Sequence, residues 1–251
     1  MLSYIIYSHS SYKDILAIQN FFIKDIKEKK YLFIDKIDND ITYNFDKIIF
    51  YNNELNYSKR ILSCMLEANI KDPYIIFIPD INIFIQKNDE DIYNIIEIMK
   101  DNNIGRFDFC NYKFMNNTKN IKYKNYLLIH NNDLTNYIYN VGSAIYNTQK
   151  YIDLLNMFDY EYRTFELQNN VQEYCLNNIN CYYINCIDSN NIINAGYYHL
   201  TNIFIYIHIT HNGELMPLDN NKNLLNDYLH KIYEDIINNN KFNRLMRINM
   251  H

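Results

Sequence analysis

Tryptophan is missing from this chain of 251 residues, and glycine and proline are scarce, at 4 and 3. No Pro/Gly-rich linker or composition break therefore separates the halves, which predicts one domain over 1–251, long enough to bury a sizeable core. The 5 cysteines include no C-x-x-C pair and form an odd set. That fits neither a disulfide framework nor a zinc site, so buried thiols are expected. Positive charge is not in excess either. A net charge of -5 argues against neutralising a phosphate backbone, so no nucleic-acid partner is expected. No apolar run approaches the roughly 20 residues of a transmembrane helix. The opening "MLSYIIYSHSSYKD" has no basic n-region and turns polar too early for a secretory signal, which predicts a cytoplasmic protein.

What is present is ordinary for a globular chain: 48% hydrophobic and 21% charged residues. Heavy use of Asn, Ile, Lys and Tyr reads as a coding bias toward A and T, so the sequons at Asn56 and Asn116 are expected by chance.

Strands and helices alternate through the first half. "SYIIYSH" reads as a strand, followed by helical spacing behind a Ser-rich cap. "YLFID" and "KIIFYNN" read as strands, "YSKRILSCMLEANI" as a helix, "YIIFIPDINIFI" as an apolar strand and "DEDIYNIIEIMKDNN" as a helix with an acidic first turn. "GRFDFCNY" returns as a strand. The alternation predicts an α/β fold with a mostly parallel sheet and crossover helices. In the second half "NYLLIH", "YIYNVGSAIYN" and "CYYINCID" read as strands, separated by the helices "QKYIDLLNMF" and "FELQNNVQEYCLNN". "NIFIYIHITHNGEL" then precedes an amphipathic helix over 223–239.

Open parallel sheets bind ligands beyond the carboxyl ends of their strands. The polar residues expected there are Ser8, His9 and Ser10, then Asp35, then Asn52 and Asn53, and finally Asp80 with Asn82. An Asp and an Asn two apart at a bend suit a hard divalent cation that keeps phosphates in its shell. In an Asn-rich chain that spacing also arises by chance, and a turn or cap is the plainer account of it.

"IIYSHSSYKDI", "IIFYNNELNYSKRILSCMLE" and "YIIFIPDINIFI", followed by "NVGSAIYNTQKYIDLLNMF" and "FELQNNVQEY", resemble GT-A-type glycosyltransferases. The similarity is to the small, single-domain kind found in bacterial polysaccharide clusters and large DNA viruses. It implies a nucleotide-sugar-binding half over about 1–112 and an acceptor-side half over about 113–251. It also implies a D-x-D motif at the fourth strand's end holding ribose and a Mn or Mg ion. Here that place reads Pro79-Asp80-Ile81-Asn82, without the second carboxylate. A late His completes such a shell: His199 matches, with His208 and His211 as competitors.

The resemblance implies a glycosyltransferase moving a sugar from a nucleotide-diphosphate donor, expected to be a UDP-sugar, to a glycan or glycoprotein. A viral chain would do so in its host's cytoplasm. Donor contacts are then expected from Ser8, His9, Asp35, Tyr51, Asn52, Arg60 and Asp80, with Asp35 and the Tyr51–Asn52 end toward base and ribose. Arg60 and Arg163 offer forks for phosphate oxygens. Glu166 stands where the resemblance places a general base; an ordinary first-turn Glu favoured by the helix dipole is the plainer account. Two other classes compete. One is a catalytically inactive glycosyltransferase-like binding or structural protein, favoured by the missing carboxylate. The other is a nucleotidyltransferase, disfavoured because "YSHSSYKD" has no glycine.

Overall fold

The computed structural model describes residues 1–37, 44–111, 120–132, 138–187, 193–195, 198–208, 210–211 and 214–215. The helix expected over 223–239 lies outside them. β1 (Leu2–Tyr7) leads through a single 3-10 turn into α1 (Lys13–Ile23), then β2 (Lys29–Ile34), β3 (Lys47–Phe50), α2 (Tyr57–Ala68) and β4 (Tyr74–Pro79). β5 (Asn82–Lys87), α3 (Asp89–Asp101) and β6 (Arg106–Asn111) follow. Next come β7 (Asn120–Tyr123), β8 (Tyr126–His130), β9 (Ala144–Asn147), α4 (Thr148–Met157), α5 (Tyr162–Leu167), α6 (Asn169–Tyr174) and β10 (Cys181–Cys186). The last described elements are β11 (Ile193–Ala195), β12 (Tyr198–Leu200), β13 (Phe204–His208) and a short pair, Thr210–His211 with Glu214–Leu215.

The fold is α/β, with a nine-stranded sheet in the order β3-β2-β1-β4-β9-β6-β10-β8-β7. β3, β2, β1 and β4 run parallel, as do β6 and β10. β9 is inserted antiparallel to both β4 and β6, and β8 runs against β10. Every residue of β1 and β4 is buried, as strands covered on both faces must be. Alternate β1 side chains feed two cores. Tyr4 and Ile6 join Ile15, Leu16, Ile95 and Met99 of α1 and α3; Ile5 and Tyr7 join Ile61, Met65, Leu154 and Phe165 of α2, α4 and α5.

Local chemistry sets the ends of these elements. Asn88 caps α3 by accepting from the Asp91 N–H, and Asp89, Glu90 and Asp91 occupy its first turn. α2 stops at Asn69, whose left-handed φ of 52 suits Asn better than most residues. Gly105 is required by close approach: a Cβ there would lie 2.2 Å from the Ile179 carbonyl oxygen, which accepts the Gly105 N–H.

Three segments differ from the sequence reading. "YIIFIPDINIFI" is two strands, because Pro79 closes β4 and Asp80-Ile81 turns the chain into β5, which leaves the main sheet to pair with β13. "YIYNVGSAIYN" is a strand only from Ala144, because the polar groups of 138–143 are bonded by side chains rather than by a ladder. "FELQNNVQEYCLNN" breaks at Gln168, whose ψ of 128 is extended, into α5, α6 and a π-turn at Cys175–Ile179.

Candidate functional site

The polar ends of the parallel strands do converge. Ser8 prolongs the β1–β2 ladder by donating its N–H to the Phe33 carbonyl at 2.9 Å. The chain then turns, and the Asp35 carboxylate clasps the turn. Its Oδ1 accepts from the Ser10 N–H at 2.7 Å and its Oδ2 from the Ser10 hydroxyl at 2.8 Å and Asn53 Nδ2 at 3.2 Å. His9 Nε2 lies 3.4 Å from the same oxygen. His9 Nδ1 accepts from the Ser11 N–H at 3.1 Å, which leaves Nε2 as the ring nitrogen that faces Asp35. Burial works to raise the Asp35 pKa, but the two Ser10 bonds, Asn53 and His9 together hold it below the usual carboxylate range.

The side chain of Asp35 is 4% exposed and that of His9 41%. His9 is therefore the open member of the pair and Asp35 its buried support. Tyr51 is a prop as well: it is buried, stacked on Tyr7 at 5.3 Å, and donates its hydroxyl to the Ser8 carbonyl at 2.7 Å. Arg60 is spent on the turn after β3, through the Leu55 and Asn53 carbonyls at 2.6 and 3.0 Å, and on Glu161 at 3.4 Å. Asn52 accepts from the Glu54 N–H at 2.9 Å and is exposed. Arg163 is exposed on α5.

Asp80 and Asn82, two apart, face different surroundings. Asp80 is half-buried at the turn, and its Oδ2 accepts from the His9 N–H at 3.1 Å, which ties the end of β4 to the turn after β1. Asn82 is 1% exposed and donates its amide to the Ser143 hydroxyl at 3.0 Å. Asn82→Asp is accordingly expected to bury a charge. Its folded pKa would rise above the unfolded value, so the stability loss is small below about pH 4 and grows as pH rises. At pH 7 we expect a loss of about 2 kcal/mol, the scale of an uncompensated buried polar group. Thermal melts of both proteins at acidic and neutral pH check this; a difference that does not change with pH would place residue 82 in water.

Ser143 belongs to a strap, Tyr139–Ser143, that precedes β9 and is bonded at nearly every residue. Gln172 of α6 holds Tyr139 at both backbone groups, at 2.8 and 2.9 Å. Arg106, 2% exposed in β6, donates to the Asn140 carbonyl at 3.1 Å and to its Oδ1 at 2.8 Å. It also reaches Asp108 Oδ2 at 3.0 Å and the Tyr146 hydroxyl at 3.1 Å. Asn140 Nδ2 donates to Asp108 at 2.6 Å, while its Oδ1 accepts the Gly142 N–H at 2.8 Å. The Val141 N–H points to Glu166 Oε1 at 3.4 Å.

Glu166 is not in the first turn of its helix, as the dipole account expected, but near the end of α5. Burial pushes its pKa up, against the Val141 N–H and the charges of Arg106 and Arg163. Tyr162, one turn earlier, is also pushed up, first by burial and then by the charges of Glu166 and Asp80. Tyr162 thus lies within electrostatic reach of both carboxylates. Arg106, Asp108, Asn140 and Gln172 were not expected from the sequence. The available signal was "GRFDF", where Arg and Asp two apart in an apolar strand must share a face.

The described residues do not make a cation site on their own. Asp80 offers a carboxylate, Asn82 turns inward as a donor, and no group of three His, Cys, Asp or Glu that could hold a metal occurs among the described residues. His199 lies in β12, His208 in β13 opposite Asn82, and His211 in the short final pair; their side chains are outside the described residues. No described helix is long and apolar enough to cross a membrane.

No protein-family profile matches the chain, and no curated protein matches it in sequence. Solved structures do resemble it at low identity. S. aureus TarS, residues 1–349, is 13% identical over 72% of this chain and 59% of that one, with a TM-score of 0.43. A UDP-glucose pyrophosphorylase complexed with UDP-glucose is 9% identical over 74% of this chain and 92% of that one, TM-score 0.42. The glycosyltransferase GlyE of Streptococcus pneumoniae TIGR4 is 9% identical over 72% and 44%, TM-score 0.40. The chain thus spans 59% of the TarS fragment and 37% of a longer TarS chain.

Proposed function

We propose that the chain transfers a sugar from a nucleotide-diphosphate donor, of the UDP type, to a hydroxyl of a glycan or glycoprotein. One observation carries the reading. The polar ends of β1, β2, β3 and β4 gather at one end of the sheet, bonded to one another through Asp35 and Asp80, and Glu166 on α5 is a partly buried carboxylate of raised pKa. A raised carboxylate pKa brings a base closer to working pH. In this reading Glu166 takes the proton of the acceptor hydroxyl, whose oxygen bonds to the anomeric carbon as the bond to the diphosphate breaks. His9, Asn52 and the backbone of the Ser10–Ser11 turn line the donor side, and Arg163 is the exposed guanidinium available to the diphosphate. No step is assigned to Mn or Mg, since the described donors do not amount to a site. The inactive binding protein keeps one supporting observation: Asp35 and Asn82 are both engaged within the chain.

Thermal melts with a panel of UDP-sugars test donor binding, because a ligand at a hundred times its Kd stabilises by about 2.7 kcal/mol. Asp80→Ala is expected to remove most of that shift by releasing the His9 turn, together with any increment that Mn or Mg adds. Donor binding with release of UDP when glycan acceptors are added supports transfer. Binding without release points to the inactive protein, and no shift with any UDP-sugar sinks the donor assignment.

A further inference from the structure

The largest fully buried side chain of the described residues is a cation, Arg106, and the transfer steps do not use it. A buried guanidinium is retained at a desolvation penalty unless its hydrogen bonds are well met. Those bonds go to Asp108, Tyr146 and both oxygens of Asn140. Asn140 in turn has its amide on Asp108 and its Oδ1 on the Gly142 N–H, which bends the strap around Val141. The bend delivers two contacts, the Val141 N–H to Glu166 and the Ser143 hydroxyl, which accepts from the Asn82 amide. Gly142 fits the same account. A Cβ there would sit 2.8 Å from Asn140 Oδ1, and Arg106 leaves that oxygen little room to move.

We propose that Asn140 is a positioning residue: seated on the buried Arg106–Asp108 pair, it sets the strap so that one backbone N–H orients Glu166 while the next turn holds Asn82. The inference rests on the reading of Glu166 as the transfer base only for its catalytic meaning; the coupling of Asn140 to Glu166 stands by itself. The charged and titratable groups that act on Glu166 are Arg163 and Tyr162 on its own helix and Arg106 from β6, which is itself paired with Asp108; Asp80 acts on Tyr162. Asn140→Ala keeps every one of these groups in the chain, although Arg106 and Asp108 each lose a bond to the Asn140 side chain, and withdraws the aimed N–H. A bond to the ionised carboxylate favours it, so losing that bond raises the Glu166 pKa further.

The test is a carboxyl-carbon NMR titration of the whole chain, with the Glu166 resonance assigned by its loss in Glu166→Gln. Asn140→Ala and Gly142→Ala are each compared with the parent, and Ile95→Val in α3 serves as a stability control that should lower Tm without moving the Glu166 titration. Both strap variants are expected to shift that titration to higher pH. The acid limb of kcat should move by the same amount, with kcat down between about tenfold and a hundredfold and the donor KM little changed. A Glu166 titration that stays put in both strap variants, or moves equally in Ile95→Val, overturns the coupling. A shifted titration in a protein that releases no UDP supports the coupling and counts against Glu166 as a transfer base.

Discussion

Glu166→Gln is expected to leave the chain folded and donor binding intact while lowering sugar transfer at least about a hundredfold, the usual scale for loss of a general base. The amide keeps the shape of the side chain and can still accept from the Val141 N–H, but it cannot take a proton. Stability should move the other way. Burial raises the folded pKa of Glu166 above its unfolded value, so the stability this group lends is full below the unfolded pKa and is lost as pH rises through the folded one. At neutral pH the uncharged Gln is therefore tolerated at least as well as the parent. Initial rates of UDP release with acceptor, measured beside thermal melts, read both effects. Unchanged turnover removes Glu166 from the reaction, and a collapsed melt makes it structural.

The largest effect on stability is expected from the pair beneath the strap. Asp108→Ala leaves Arg106 buried and uncompensated, and breaking such a pair from one side costs about 3–5 kcal/mol. At roughly 2–4 °C per kcal/mol for a domain of this size, the melt should fall by on the order of 10 °C. Burial works against the Arg106 charge, and in the parent Tyr146 and Asp108 hold its pKa above the usual guanidinium value; without Asp108 a guanidinium still keeps its proton at working pH, so a pH change does not relieve the variant. Replacing both members, Arg106→Met with Asp108→Leu, should recover much of the loss, because well-packed apolar groups often match a buried pair. Urea unfolding of the parent, the single variants and the double variant decides the matter. A cost below about 1 kcal/mol for Asp108→Ala would mean that water reaches the pair.

Much of the first half was legible in the sequence, because its signals are local. The alternation of apolar runs with helical spacing, Asn88 before three acids, and polar residues after each run all correspond to elements or strand ends in the structure. The functional meaning of those strand ends was less legible. Asp35 and Tyr51 are polar at strand ends as expected, yet their hydrogen bonds are made across 25 and 43 residues to the Ser8–Ser10 turn, and nothing near them in sequence shows it. The strap was hidden for a similar reason. "YIYNV" alternates like a strand, and its backbone is diverted by Gln172 and Arg106, more than 30 positions away, and by Glu166, 25 away. The two polar pairs, Asp80 with Asn82 and Arg106 with Asp108, share an i, i+2 spacing. The turn after Pro79 separates the first pair, while an unbroken strand keeps the second on one face.

The insertion of β9 between β4 and β6 also governs how the chain is assembled. β1 to β4 pair among themselves and β6 pairs with β10, but the centre of the sheet is closed only by Ala144–Asn147, which supplies two ladders at once. Without it β4 and β6 would each present an open edge, the kind of surface on which chains pair wrongly with one another. That strand is also the exit of the strap, so the step that seals the sheet brings Ser143 to Asn82. The arrangement of the candidate site is therefore tied to the non-local pairing of one short strand, and not to either set of parallel strands alone.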